Sequence, residues 1–141
     1  ERAQQLIRQL LNVWESSVRA THDFLSEEEI IKIREYVPMA IENVEYLIIA
    51  EKEFGEPVAF MGIDSNRLEM LFLSPEGRGK GLGKQLLQYG IETYNIQELT
   101  VNEQNPQAVG FYEHMGFQTY KRTEYDEEGN PYPLLYMRLS R

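Results

Sequence analysis

Between residues 78 and 84 the chain reads Arg-Gly-Lys-Gly-Leu-Gly-Lys, three cations and three glycines with no acid. The chain as a whole runs the other way, with a formal net charge of −9 over 141 residues. Leu82, Leu86, Leu87, Ile91 and Tyr94 fall at helical spacing directly after this stretch. Helix N-termini carry unpaired N–H groups and partial positive charge, and glycine lets such backbone approach a ligand closely, so a glycine loop feeding a helix is suited to phosphate. Three familiar phosphate loops do not fit. A Walker A loop ending at Gly83-Lys84 needs glycine at position 78 and Ser or Thr at 85, where the chain has Arg78 and Gln85. The G-x-G-x-x-G dinucleotide pattern meets Leu82, Lys84 or Leu86 in place of its last glycine. The kinase loop shares that pattern, lies between strands, and fails with it. What the chain does hold is Arg78-x-x-Gly81-x-Gly83.

Other residues with chemistry sit in apolar settings. Glu69 is the only charge in Leu68 to Leu73. Alternation there puts Leu68, Met70 and Phe72 on one face and Glu69, Leu71 and Leu73 on the other, so Glu69 either lies near a strand end or points into a cleft. Tyr112 shares a stripe with Ala108, Phe111 and Met115, a spacing that equally suits a core tyrosine. His22 stands in Thr-His-Asp between two helical patterns, usually a structural or exposed setting; His114 faces away from the stripe and is expected in solvent. Tyr120, Tyr125, Tyr132 and Tyr136 read mainly as strand packing, and no pair of histidines and acids has ligand spacing, so no metal is expected.

The elements that position these residues are legible from period and punctuation. Ala3, Leu6, Ile7, Leu10, Leu11, Trp14 and Val18 form a helical stripe. Ser26 with Glu29 reads as a capping box opening a second helix that fades by Pro38. Strands are expected over 46–50, 58–63 and 68–73, then the helix from Leu82 and a strand over 99–102. Asn105 fits an N-cap with Pro106 at the first helical position, and Gly116 fits the left-handed residue after that helix. Strands over 117–125 and 134–139 flank the turn Asp-Glu-Glu-Gly-Asn. This αα-βββ-α-β-α-ββ order predicts an α/β sheet with helices on its faces, a single domain over residues 1–141.

Arg78-x-x-Gly81-x-Gly83 resembles the acetyl-CoA pyrophosphate loop of the GNAT N-acetyltransferase superfamily. LEMLFLSPEGRGKGLGKQLL is similar to that family's strand, loop and helix, and VNEQNPQAVGFYEHMGF to its next strand and following helix. WESSVRATHDFLS and PYPLLYM are similar to the YjaB-type bacterial branch, so the likeness runs from about Trp14 onward. The resemblance implies a mixed, mostly antiparallel twisted sheet, with the family's first edge strand apparently missing because the sequence opens in a helical pattern. It implies that the backbone of Arg78, Gly79, Lys80, Gly81, Leu82 and Gly83 holds the diphosphate, with Arg78, Lys80 and Lys84 supplying charge. It places Leu71, Phe72 and Leu73 on one arm of a splayed strand pair meeting pantetheine, Asn102 at the end of the other, and Asn105, Ala108 and Phe111 on the cofactor side. It gives Tyr112 the role of acid at the departing sulfur and Glu69 that of base, directly or through water. His22 and Tyr132 would touch the acceptor.

The activity implied is direct acetyl transfer from acetyl-CoA to a primary amine of a small molecule or peptide, by a monomer or homodimer. The acidic balance favours cationic acceptors and disfavours nucleic acid. With no cysteine, an acetyl-cysteine intermediate, disulfides and thiolate metal sites are excluded. No apolar run reaches the length of a membrane span and no signal peptide is visible, so a cytoplasmic location is expected. The alternatives are a non-catalytic acyl-CoA sensor on the same fold, or an interaction protein in which the loop is only surface.

Overall fold

The computed structural model describes residues 2–140. Helix α1 spans Gln4–Thr21 and buries Leu10, Leu11, Trp14 and Val18 of the expected stripe, with Leu6 and Ile7 partly buried beside them, and it also buries Val13, which the stripe did not include. Ser26 caps α2 (Glu27–Arg34) with a complete capping box: its hydroxyl accepts from the Glu29 N–H at 3.1 Å, and the Glu29 carboxylate accepts from the Ser26 N–H at 2.8 Å. The second helical pattern does not simply fade at Pro38. The chain breaks at Glu35 and Tyr36 and restarts as α3 (Val37–Asn43), with Pro38 in the first turn, where its missing N–H has no intrahelical partner to lose.

Six strands follow: β1 (Tyr46–Glu51), β2 (Pro57–Asp64), β3 (Arg67–Leu73), β4 (Glu98–Asn102), β5 (Phe117–Thr123) and β6 (Leu134–Leu139). A 3-10 turn, Pro75–Gly77, leads from β3 toward α4 (Leu82–Tyr94), and α5 (Pro106–His114) joins β4 to β5. The sheet order is β1-β2-β3-β4-β6-β5, antiparallel except between β3 and β4. Among the described residues no strand precedes α1, and β1 forms a sheet edge. β2 is buried from Pro57 to Ile63 because helices cover both of its faces. Phe60, Met70 and Phe72 pack with α1 to α3, while Ala59, Met61, Ile63, Leu71 and Leu73 pack with α4 and α5.

Simple alternation misplaces one residue in β3. Ile63 pairs with Leu68 but Gly62 pairs with Met70, so Glu69 is the extra residue of a β-bulge. The bulge shifts the pleat by one, and Leu68 joins the α4 side with Leu71 and Leu73 rather than sharing a face with Met70 and Phe72. β5 also stops at Thr123, two residues short of the predicted end.

β3 and β4 matter most for the site. They pair only at Arg67 with Glu98 and Leu68 with Leu99, then diverge. The crossover through α4 brings them side by side, and beyond Leu68 each keeps its antiparallel partner on the far side while the near side opens.

Candidate active site in the strand gap

The loop reaches α4 through two left-handed glycines, Gly79 and Gly81, both at φ +74°. A residue with a Cβ is strained there, which explains glycine at both positions. The first intrahelical bond runs from the Gln85 N–H to the Gly81 carbonyl at 3.0 Å. The N–H groups from Gly79 to Lys84 donate to no acceptor among the described residues, and they cluster at the positive end of a thirteen-residue helix. At Gly83 a Cβ would lie 3.6 Å from the Phe111 ring and 3.8 Å from Leu73, ordinary packing distances, so protein packing alone does not demand glycine there.

A cavity of about 430 Å³ lies over this loop and along the gap. Arg78, Gly79, Gly81, Leu82, Gly83 and Lys84 line it from the loop, Leu71, Phe72 and Leu73 from β3, and Asn105, Ala108, Phe111 and Tyr112 from α5. On β3 the Ser74 N–H donates to Val58 of β2 at 2.8 Å. Antiparallel alternation therefore turns Phe72 toward β2 and leaves the N–H and C=O of Leu71 and Leu73 facing the gap. Asn105 caps α5 by accepting the Ala108 N–H at 3.2 Å. Its amide nitrogen has no protein partner among the described residues and is not sealed from the cavity, so capping and ligand contact are compatible.

Arg78 behaves differently from a solvated loop cation. Its Nη2 donates to the Ser17 hydroxyl of α1 at 3.2 Å, and its Nε is buried without a partner. Burial pulls its pKa down, although a guanidinium stays charged at any ordinary pH. The Tyr112 ring packs edge-on against Phe111 and Phe117, with centroids 5.2 and 6.2 Å away. Its hydroxyl has no protein partner among the described residues, yet it is not a sealed-off atom and so opens to the cavity. Burial pushes its pKa well above the usual phenol value and keeps it protonated.

A second cavity, of about 570 Å³, adjoins the first, and His22 and Phe72 line both. Its walls carry Glu29, Asp126 and Glu128 together with Phe24, Tyr36 and Tyr132. Tyr132 stacks on Phe24 at 5.9 Å and Phe24 on His22 at 5.2 Å, an aromatic run along one wall. Asp126 organises its loop by accepting the N–H groups of Glu128 and Asn130 at 2.9 and 2.8 Å.

Three of the residues expected at the cofactor and catalytic centre lie outside the first cavity. Lys80 is exposed and does not line the first cavity, because the left-handed glycines on either side turn it outward. Asn102 lines the second cavity rather than the first, since β4 diverges before reaching it. Glu69 lines neither cavity. The bulge holds it at the narrow end of the gap, and its carboxylate pairs with Arg67 at 3.3 Å. Partial burial raises its pKa, opposed by Arg67 and reinforced by Asp64 and Glu127. Arg78 lines the cavity but is braced against α1. Ser17, Thr21 and Gln107 line the first cavity and were not anticipated. Ser17 and Thr21 stand four apart on α1 beside the buried stripe, so helical spacing was the available signal. His114 is exposed, as expected.

A family model described as acetyltransferase (GNAT) domain matches residues 14–139. The chain is 41% identical over 126 residues to the peptidyl-lysine N-acetyltransferase YjaB of Salmonella typhimurium, covering 89% of this chain and 86% of that protein. The solution structure of apo-form YjaB from Escherichia coli superposes with a TM-score of 0.88 at 36% identity, covering 97% of this chain and 92% of the other. The crystal structure of PaiA N-acetyltransferase from Thermoplasma acidophilum in complex with coenzyme A shares the fold, with a TM-score of 0.69 at 22% identity over 97% of this chain and 94% of the other.

Proposed function

The chain belongs to the GNAT acetyltransferase family, and from that premise we propose that it transfers the acetyl group of acetyl-CoA directly to the ε-amine of a lysine in a peptide or protein. The single observation that carries this reading is the opening of β3 from β4 directly above a helix start with six unbonded amides. That pairing suits a ligand with an amide-bearing arm and a diphosphate. The residues fit such a group: the amides of Gly79 to Lys84 would hold the diphosphate, aided by Lys84, and the free main chain of Leu71 and Leu73 would pair with the arm. Arg78 lines the same end of the cavity and adds positive charge there. Acetyl-CoA supplies an activated acyl carbon and a thiolate leaving group.

The chain's own residues supply the rest. An N–H of β3 facing the gap polarises the thioester carbonyl. Tyr112, held protonated by burial, donates to the departing sulfur. The acidic second cavity admits a cationic side chain, and its aromatic wall flanks an alkyl stem. The lysine acceptor is supported by the peptidyl-lysine activity named for relatives of about 40% identity. The experiment is acetyl-CoA-dependent thiol release with a lysine-containing peptide and with the same peptide lacking its ε-amine. Release with the first alone, and an acetylated lysine by mass spectrometry, is the expected result. Tight acetyl-CoA binding with no acceptor-dependent release from any lysine peptide would overturn the proposal.

A further inference from the structure

We propose that His22, not the strand carboxylate Glu69, is the general base that takes the proton from the attacking amine. The inference rests on the acetyltransfer reading above and names a residue for it.

His22 is one of two residues that line both cavities, the other being Phe72, whose side chain has no titratable group. The base must sit where the acceptor nitrogen meets the acyl carbon, and that junction is His22's position. A hydrogen-bond chain fixes its tautomer. The Thr21 hydroxyl donates its only hydrogen to the Ser17 carbonyl at 2.8 Å. Its oxygen also lies 2.8 Å from His22 Nδ1. That hydrogen is already committed, so Nδ1 must carry the proton and donate to Thr21. Nε2 is then the lone-pair nitrogen. It has no protein partner among the described residues and is not a sealed-off atom, so it opens to the cavities.

Burial is the main influence that favours the neutral ring. Burial lowers its pKa, and Arg78 lowers it further from the first cavity; Asp23 on its own segment opposes them. Glu29, Lys32, Asp126 and Glu128 stand around the second cavity. A base of this strength does not strip an alkylammonium, whose pKa is about 10.4. The ammonium loses its first proton to water. Its second becomes acidic as the nitrogen lone pair closes the C–N bond, and Nε2 takes that one. The C–S bond breaks with its electrons on sulfur, and Tyr112 gives its proton there. His22 then returns a proton to water and Tyr112 recovers one, so the chain ends unchanged. Glu69, by contrast, lines neither cavity and is engaged by Arg67.

The test compares wild type, His22→Gln, Thr21→Val and Glu69→Gln in lysine-peptide acetylation from pH 5.5 to 9, with acetyl-CoA affinity by calorimetry and folding by thermal melting. His22→Gln is expected to lower kcat about 100-fold or more at pH 7.5 with acetyl-CoA affinity within threefold. The wild-type advantage should shrink as pH falls below the ordinary imidazole range, because a protonated His22 is no base. Thr21→Val removes the acceptor that orients Nδ1 and should lower kcat by about tenfold without moving KM for the peptide; this variant carries the test if His22→Gln fails to fold. A His22→Gln rate within threefold of wild type, or a pH-independent loss, or a base-type loss seen with Glu69→Gln instead, overturns the inference while leaving the acetyltransfer reading standing. Wild type inactive on every lysine peptide sinks both.

Discussion

Replacing Tyr112 with phenylalanine isolates one hydroxyl. That hydroxyl has no protein partner among the described residues, and the ring's contacts to Phe111 and Phe117 are unaffected by its loss. Removing it orphans no donor or acceptor, so stability should change by less than about 0.5 kcal/mol. Catalysis should respond differently. General acids contribute roughly 10²–10⁴-fold, or about 2.7–5.5 kcal/mol. The lower end is expected here. An unperturbed phenol near 10 is about 1.5 units weaker as an acid than a thiol near 8.5. Burial disfavours the phenolate further, but it disfavours the thiolate beside it in the same way, so the gap between them does not widen greatly. Tyr112 therefore stabilises charge on sulfur by a strong hydrogen bond with partial proton transfer. Single-turnover acetylation of a lysine peptide should slow by about 100-fold, with acetyl-CoA affinity within threefold of wild type. A single-turnover rate within threefold of wild type, at unchanged affinity, would remove the tyrosine from the mechanism.

Gly81→Ala places a Cβ at φ +74° with no protein atom within 4 Å, so its folding penalty is conformational alone, about 1 kcal/mol; acetyl-CoA affinity should fall at least tenfold by calorimetry because the methyl group intrudes on the amide cradle. Ser26→Ala removes one half of the capping box on α2 and should cost about 1 kcal/mol in chemical denaturation, with kcat unchanged. His22 also predicts a pH dependence of stability. Its pKa is lower folded than unfolded, so between the two values the unfolded chain binds more protons and stability falls as pH drops below about 6.5. Melting between pH 7 and 5 should therefore cost wild type more than His22→Gln, and equal losses would contradict the buried neutral imidazole.

The parts of this molecule written in local sequence were the readable ones. The loop's glycines, the Ser26 and Asn105 caps and the α1 stripe each depend on a residue and its neighbours within four positions, and all appear in the structure where expected. The bulge at Glu69 was not readable, because it is set by the register between β2 and β3 and no glycine or proline marks it in β3. It alone moves Leu68 across the sheet, and it leaves Glu69 at the narrow end of the gap, outside both cavities. The break between α2 and α3 was half visible: Pro38 signalled a boundary, but a proline suits a first turn as well as an end. The second cavity joins α1, α2 and the loop before β6, segments about a hundred residues apart. Its carboxylates looked like a solvated turn and a capping residue, which locally they also are.

The central claim is that free amides at the start of α4, together with the open edge of β3, hold the cofactor. Titrating the isotope-labelled protein with acetyl-CoA and following each backbone amide by NMR tests this most directly. The largest shifts should fall on Gly79 to Lys84 and on Leu71 and Leu73, with β1 and β5 unmoved. Saturable binding whose shifts avoid the loop, or no shift at millimolar acetyl-CoA, would contradict it.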